Sequence, residues 1–411
     1  MLPERRFVEK SDKMRPLLFY LLIGICAADE GWFWHVTDFH WDFSYWTDQL
    51  SCNGMNISKP GAFGNQWCDS PWSLVEESIK GLRLVQPNVD FVLWTGDTVP
   101  HVSDSHLSND LNKELVMNVT TLMEREFPNT KVYATFGNHD NYPSNLFTPH
   151  NSDIYNATYM IWKTWIDDNS QVDNFHKGGY YTVKIRDGLR LVAMNSNMYY
   201  TKDTVILAGH VPPGYTTPRA VRWMTKTFNQ KFVDIVLRHS STIAALHFGH
   251  EHHDSFRIFY DGEVAVATLF IAPSVTPWRY QLPGGEVEPA HNPGARLVKY
   301  DRQTGKTLDI LQYYADLDTV NLDQQFVWTL GYSATAMYGV PDLSVDSMHK
   351  VVNSLSDGSG SEFQNYVKWY NTNGKNPADL CNALCHHVVM CGLRYMTEKP
   401  FQQCLHHSTH T

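Results

Sequence analysis

Short apolar runs that end in ligand-type residues constrain this chain more than any other feature. Residues 32–36 run into Thr37-Asp38-Phe39-His40, and residues 91–94 into Thr95-Gly96-Asp97. Residues 132–136 run into Gly137-Asn138-His139-Asp140, 191–194 into Asn195-Ser196-Asn197, 205–208 into Gly209-His210, and 243–248 into Gly249-His250-Glu251-His252. Continuous apolar runs of this length read as strands buried on both faces. Polar residues at the carboxyl ends of such strands are where α/β folds put their sites. Helices fit between the strands, over 72–84 and 111–127. The expected class is α/β, with strands and helices alternating from about 32 to 314.

Singly, an Asp-x-His or a Gly-Asp is more often a turn or a satisfied polar group than a ligand. Together, Asp38, His40, Asp97, Asn138, His210, His250 and His252 form a set that two closely spaced cations require. One carboxylate can bridge both ions, and neutral imidazoles and an amide complete the shells without excess negative charge. Glycine beside these residues lets the backbone turn sharply at the site. The 20 histidines of the chain supply the raw material. With 43 acidic against 33 basic residues and no basic block, a protein that holds a nucleic-acid scaffold by counterion release is excluded.

After Tyr314 the texture changes. Residues 324–338, 344–355 and 361–369 look helical and lead to four clustered cysteines, so a catalytic domain over 29–315 and a small helical, Cys-rich subdomain over 316–411 are expected. Met14 opens an apolar run with Ala27 and Ala28 behind it, which reads as a signal peptide over 14–28 preceded by an upstream extension, 1–13. Removing it discards Cys26 and leaves six cysteines, an even number suited to an oxidising compartment. Proximity pairs Cys52 with Cys68. Within the cluster Cys381–Cys385 and Cys391–Cys404 are favoured, among 15 connectivities that six cysteines allow; a zinc knuckle using His386 and His387 is the rival. Sequons at Asn56, Asn118 and Asn156 agree with secretion. No mature segment reads as a membrane span, and the polar C-terminus lacks the apolar tail of a GPI signal.

The ordered motifs resemble those of the calcineurin-like metallophosphoesterases. The flanking text is similar to one branch, the acid sphingomyelinase-like phosphodiesterases of the 3 type. It carries Trp34-His35-Val36-Thr37-Asp38-Phe39-His40, Gly137-Asn138-His139-Asp140-Asn141-Tyr142-Pro143, Gly209-His210-Val211-Pro212-Pro213-Gly214-Tyr215, Ala272-Pro273-Ser274-Val275-Thr276-Pro277 and Asn292-Pro293-Gly294-Ala295-Arg296. The resemblance implies a two-sheet sandwich flanked by helices and two zinc ions. One ion would be held by Asp38, His40 and His252, the other by Asn138, His210 and His250, with Asp97 bridging and a hydroxide between the metals attacking phosphorus in line. It implies that His139 protonates the leaving group or binds phosphate, and that His101 is a second substrate histidine. Asp140 is expected to orient a neighbour, and His35, His247 and His253 to be core or surface residues. The implied protein is a secreted or lysosomal monomer that hydrolyses small soluble phosphodiesters or phosphoanhydrides, such as nucleotides or CDP-choline-like molecules. Sphingomyelin is the alternative substrate; the absence of a saposin-like domain ahead of the first strand counts against it.

One departure stands out. Only 201–204 separate Tyr199-Tyr200 from the strand at Val205, where the family carries a loop and an amphipathic helix. Parallel strands need a crossover of about a dozen residues or more. A connection near 200–205 this short predicts a reversed or displaced strand, with His210 pulled from its metal and an impaired, non-enzymatic regulator as a further reading.

Overall fold

The computed structural model describes residues 29–147, 152–196, 205–280, 288–374 and 381–407. The extension, the signal segment with Cys26, and the shortened connection at 197–204 lie outside them.

Among the described residues, the apolar runs form two six-stranded sheets. The chain begins one sheet with β1 (Glu30–Val36), β2 (Phe91–Trp94) and β3 (Lys131–Ala134). It builds the other from β4 (Tyr181–Arg186), β5 (Leu189–Ala193), β6 (Val205–Ala208), β7 (Ile243–Phe248), β8 (Ser255–Asp261) and β9 (Val264–Ile271). It then returns to the first with β10 (Gly294–Asp301), β11 (Thr307–Tyr314) and β12 (Thr329–Ser333). The orders are β12-β11-β10-β1-β2-β3 and β4-β5-β6-β7-β9-β8. In the first sheet β1-β2-β3 run parallel at one end, and in the second β5-β6-β7 run parallel at the centre.

Period-2 alternation decides how the sheets pack. In β5, Leu189, Leu191 and Ala193 join Phe33, Trp34 and Phe91 of the other sheet in one core. Val192, between them, faces a second core with Leu207, Leu246 and the buried face of helix Lys226–Arg238, Phe232, Val233 and Val236. The sheets meet where the Phe33 ring contacts His247 edge-on at 5.3 Å. The outer side of the first sheet is covered by helices Trp72–Val85, Asn109–Glu126 and Asp153–Ile166, with Trp162 packed on Trp94 and Phe136.

The short connection does not reverse its strand. β6 pairs parallel with β5, Arg190 opposite Val205 and Ala193 opposite Ala208. Beyond the strand, Ser196 Oγ accepts the backbone N–H of His210 at 3.1 Å, so the two chain segments stay level to the site. β5 ends at Ala193 and β6 begins at Val205, so eleven residues (194–204) join them, close to the dozen that a parallel crossover needs; the β5–β6 register and the Ser196 bond keep His210 level with the rim.

The stretch 324–338 is not one helix. Residues 329–333 form β12 on the edge of the first sheet, with Leu311 opposite Ser333; a helix, Ala334–Tyr338, follows. Gly331 is covered by the Trp369 ring, which a Cβ there would strike at 2.4 Å, so tertiary packing overrides the local pattern. Disulfides join Cys52–Cys68, Cys381–Cys385 and Cys391–Cys404, leaving no thiolate in the cluster for a zinc knuckle. Asn56 and Asn156 are exposed and Asn118 half-buried.

Trp94 ends β2 and is 1% exposed. Trp94→Ala is expected to destabilise the fold by about 3–5 kcal/mol, read from the midpoint of urea unfolding.

Candidate metal centre

The parallel strands β1, β2, β3, β6 and β7 deliver their carboxyl ends to one rim, and the seven predicted ligand residues converge there. They arrive on strained backbone. Asp38 (φ 54°), His40 (φ 38°), Asp97 (φ 59°), His250 (φ 71°) and His252 (φ 60°) all occupy the left-handed region. That region disfavours side-chain-bearing residues and persists where surroundings over-determine it, as at functional sites. The glycines permit the close approach: a Cβ on Gly137 would lie 2.0 Å from Asp97 Oδ1, and one on Gly249 2.2 Å from Thr37 Oγ1.

Asp97 stands at the centre. Its Oδ2 lies 3.5 Å from His40 Nε2 on one side and 2.9 Å from His210 Nε2 on the other. Around the first position, Asp38 Oδ1 is 3.7 Å from His40 Nε2 and 3.3 Å from His252 Nε2. Around the second, His210 Nε2 is 3.0 Å from Asn138 Oδ1 and 3.2 Å from His250 Nδ1. The other ring nitrogens are committed: His40 Nδ1 donates to the Val99 carbonyl and His210 Nδ1 to the Thr95 carbonyl, both at 2.7 Å. Those bonds fix each ring and turn Nε2 inward, as orienting contacts do for metal-binding histidines. Asn138 is aimed likewise, its amide N–H donating to Asn145 Oδ1 at 2.8 Å.

Asp38 Oδ1 and His40 Nε2 are buried without hydrogen-bond partners, although buried polar atoms are nearly always satisfied. The donor set of imidazole, carboxylate and one amide oxygen suits divalent transition metals. The residues therefore fit two cations: Asp38, His40 and His252 on one side, Asn138, His210 and His250 on the other, Asp97 between. Without cations, protons must balance the carboxylates. Burial opposes charge on His40, but the nearby Asp38 carboxylate and the charges of Asp97 and Asp69 prevail and push it up to about 10. His210 is pushed up to about 9 against burial by Asp97 and Asp38. Asp97, despite its burial, is held well below the carboxylate range by His210 and His40.

Asp140 shapes the centre without joining it. It accepts the backbone N–H of Asp97 (3.1 Å), Thr98 (2.7 Å) and Gly137 (2.8 Å), locking the β2 and β3 loops together. Burial and the facing Asp97 charge push Asp140 up to about 6. His139 donates its backbone N–H to Asp97 Oδ1 at 2.8 Å, and its ring lies 5.4 Å from His40 and 4.6 Å from His101. Burial, then neighbouring His101, pushes His139 down to about 3, so the ring is neutral in the free protein. His101 lies against His40, centroids 3.9 Å apart with the rings tilted by 33°, and stacks on Trp278 at 4.0 Å. His35, His247 and His253 are buried beside the motifs; His35 Nε2 bonds Thr95 Oγ1.

Sequence reasoning missed Asp69, Asn145 and Trp278. Asp69 Oδ1 lies 3.0 Å from His101 Nδ1, and its Oδ2 accepts the His101 backbone N–H at 2.6 Å. No spacing rule connects positions 69 and 101. Trp278, directly after the Ala272–Pro277 stretch, could have been suspected from that adjacency.

Comparison with known proteins agrees with this architecture. Residues 31–254 match the calcineurin-like phosphoesterase family and residues 264–411 the acid sphingomyelin phosphodiesterase C-terminal region. An acid sphingomyelinase-like phosphodiesterase 3b of Homo sapiens is 35% identical, covering 95% of this chain and 94% of the relative. A cyclic GMP-AMP phosphodiesterase of Bos taurus is 32% identical, over 91% and 90%. A sphingomyelinase phosphodiesterase C of Dictyostelium discoideum is 28% identical, over 95% and 96%.

Two outcomes are expected. Gly137→Ala displaces Asp97 and lowers metal content by at least half, measured by elemental analysis of protein whose circular dichroism is unchanged. Metal binding at pH 7 displaces the protons on His40 and His210, so calorimetry in buffers of different ionisation enthalpy should read about two protons released per chain. Affinity then rises with pH; no release would mean that these imidazoles are not ligands.

Proposed function

The chain belongs to the acid sphingomyelinase-like phosphodiesterases of the calcineurin-like metallophosphoesterases and hydrolyses phosphodiester bonds; from that premise we propose that Asp38, His40 and His252 hold one zinc ion, Asn138, His210 and His250 a second, and Asp97 both. The observation that carries this is the single Asp97 oxygen facing His40 Nε2 at 3.5 Å and His210 Nε2 at 2.9 Å. Two cations there would activate water at neutral pH and neutralise charge on the phosphoryl oxygens.

The chain's own residues do the rest. Asp140 keeps the Asp97 loop from moving as charge develops. His139, neutral in the free protein, donates a hydrogen bond to a phosphoryl oxygen. A bound phosphate beside it raises its proton affinity, so the ring can take up a proton from water and pass that proton to the departing alkoxide. His101, its Nδ1 held by Asp69 and its ring stacked on Trp278, has Nε2 left to bind the substrate's phosphate beside His139. The close contact of His210 with Asp97 and Asn138 supports a working enzyme rather than an impaired regulator.

The substrates are small soluble phosphodiesters or phosphoanhydrides, nucleotides first, which the likeness to a cyclic GMP-AMP phosphodiesterase supports. Disulfides, exposed sequons and a donor set filled by imidazole support a secreted or lysosomal, glycosylated monomer with a catalytic domain over 29–315 and a C-terminal subdomain over 316–411. No helix of the described residues is long and apolar enough to cross a membrane.

Purified protein should carry about two zinc ions per chain and cleave bis(p-nitrophenyl) phosphate and ATP or CDP-choline faster than sphingomyelin. Turnover of sphingomyelin alone would sink the nucleotide preference. Asp97→Ala is expected to lower kcat/KM by roughly a thousandfold or more, the several kcal/mol that metal-assisted catalysis supplies. His139→Gln should lower kcat by about 10²–10⁴-fold with metal content retained. Metal-free protein with no turnover of any phosphodiester would refute the proposal.

A further inference from the structure

His250 is held unlike the two imidazoles that flank Asp97. His40 and His210 each donate a ring N–H to a backbone carbonyl. His250 turns Nδ1 toward His210 Nε2 at 3.2 Å, and its Nε2 is buried without a hydrogen-bond partner. A metal-binding imidazole ordinarily gives its far nitrogen to an acceptor that fixes the ring. Against His250 lies a ring instead: the Trp223 indole, 4.7 Å away between centroids and 85° from parallel. Edge-to-face contact at that distance is attractive beyond the area it covers. Trp223 itself is 45% exposed, so a large apolar side chain stays at the surface where it touches His250.

The chain around Trp223 is built to keep it there. Met224, the next residue, is buried in the core under helix Lys226–Arg238. Arg222, the residue before, donates Nε to the Met224 carbonyl at 3.0 Å and Nη1 to the Tyr215 hydroxyl at 3.2 Å. Thr216 N–H donates to the Val221 carbonyl at 2.8 Å and closes the loop between them. That loop leaves the His210 segment at Tyr215 and comes back to lay Trp223 on His250. A second tie joins the same two segments. Glu251, next to His250, accepts from the buried Arg257 at 2.5 Å, and Arg257 also donates to the carbonyls of Pro213 and Tyr215. The chain after β6 therefore grips the chain after β7 twice, once through an ion pair at Glu251 and once through a ring at His250.

Resting on the two-metal reading above, we propose that Trp223 is a positioning residue for the second metal position, its ring taking the place of a hydrogen bond in fixing His250. An imidazole free to turn about its Cβ–Cγ bond can swing Nδ1 away and present carbon inward. The indole against it blocks that swing, because a packed ring leaves no room for the turned one. Asp97, Asn138 and His210 are each fixed by hydrogen bonds of their own, so the ion they share with His250 is the one whose hold depends on a half-exposed side chain.

The test reads zinc release from the full-length, metal-loaded protein against a graded chelator, without substrate. The wild type should release about two ions per chain. Trp223→Ala should weaken one of them by roughly tenfold or more, the loss typical when an imidazole's support is removed, and leave the other unchanged at unaltered circular dichroism. Trp223→Phe, which keeps a ring there, should recover most of the affinity. His250→Ala should retain only the first ion, and adding Trp223→Ala to it should change nothing further, since both residues act on the same ion. Wild-type affinity for both ions in Trp223→Ala overturns the proposal. So does an equal loss in Trp223→Phe, and so does weakening of the ion that remains in His250→Ala, which would mark a general structural role. Failure of the two-metal reading looks different: the wild type then holds fewer than two ions, and the proposal falls with it.

Discussion

The carboxylate of Asp97 is the point on which the rest of the molecule turns. It sits on strained backbone at the end of β2, in the middle of the rim where both sheets deliver their side chains. One of its oxygens faces imidazoles from two different strands, His40 after β1 and His210 after β6. The other accepts the His139 backbone N–H. A buried carboxylate in that setting is tolerable only with positive charge on both sides, from protons or from metal ions. The surrounding architecture supplies the positions for that charge and excludes other ways of satisfying it. Asp140 fastens the loop by three backbone N–H groups. Gly137 leaves room for Asp97 Oδ1, and the Val99 and Thr95 carbonyls turn the His40 and His210 rings inward.

That arrangement explains why β1-β2-β3 in one sheet and β5-β6-β7 in the other run parallel. Parallel strands bring successive carboxyl ends to the same edge, so residues far apart in the chain meet without long loops. It also explains why a shortened connection between β5 and β6 is tolerated. The level of His210 relative to Ser196 and Asp97 is set by the β5–β6 ladder and the Ser196 bond.

Much of the fold was legible because its strands are buried on both faces and read as unbroken apolar runs. The ligand set was legible for a related reason: each residue directly follows its strand, so local order in the chain becomes order along a rim. The misreadings have equally local causes. Residues 324–338 contain helix-compatible spacing, but 329–333 pair with β11 because Trp369 covers Gly331 and the sheet edge stands open there. The expected reversal at Val205 came from counting only 201–204 as the connection, whereas β5 already ends at Ala193 and eleven residues (194–204) precede β6.

By itself the sequence determined the strand ends, the metal-type residues placed on them, and the pairing of Cys52 with Cys68. These are properties of short windows, where residue type and spacing carry the information. Only the tertiary structure decided which nitrogen of His40 and of His210 faces inward, that one Asp97 oxygen serves both sides, and that Asp69 and Trp278 hold His101. Those relations join residues separated by tens to hundreds of positions, and distance in the chain says nothing about distance in space until the sheets have packed.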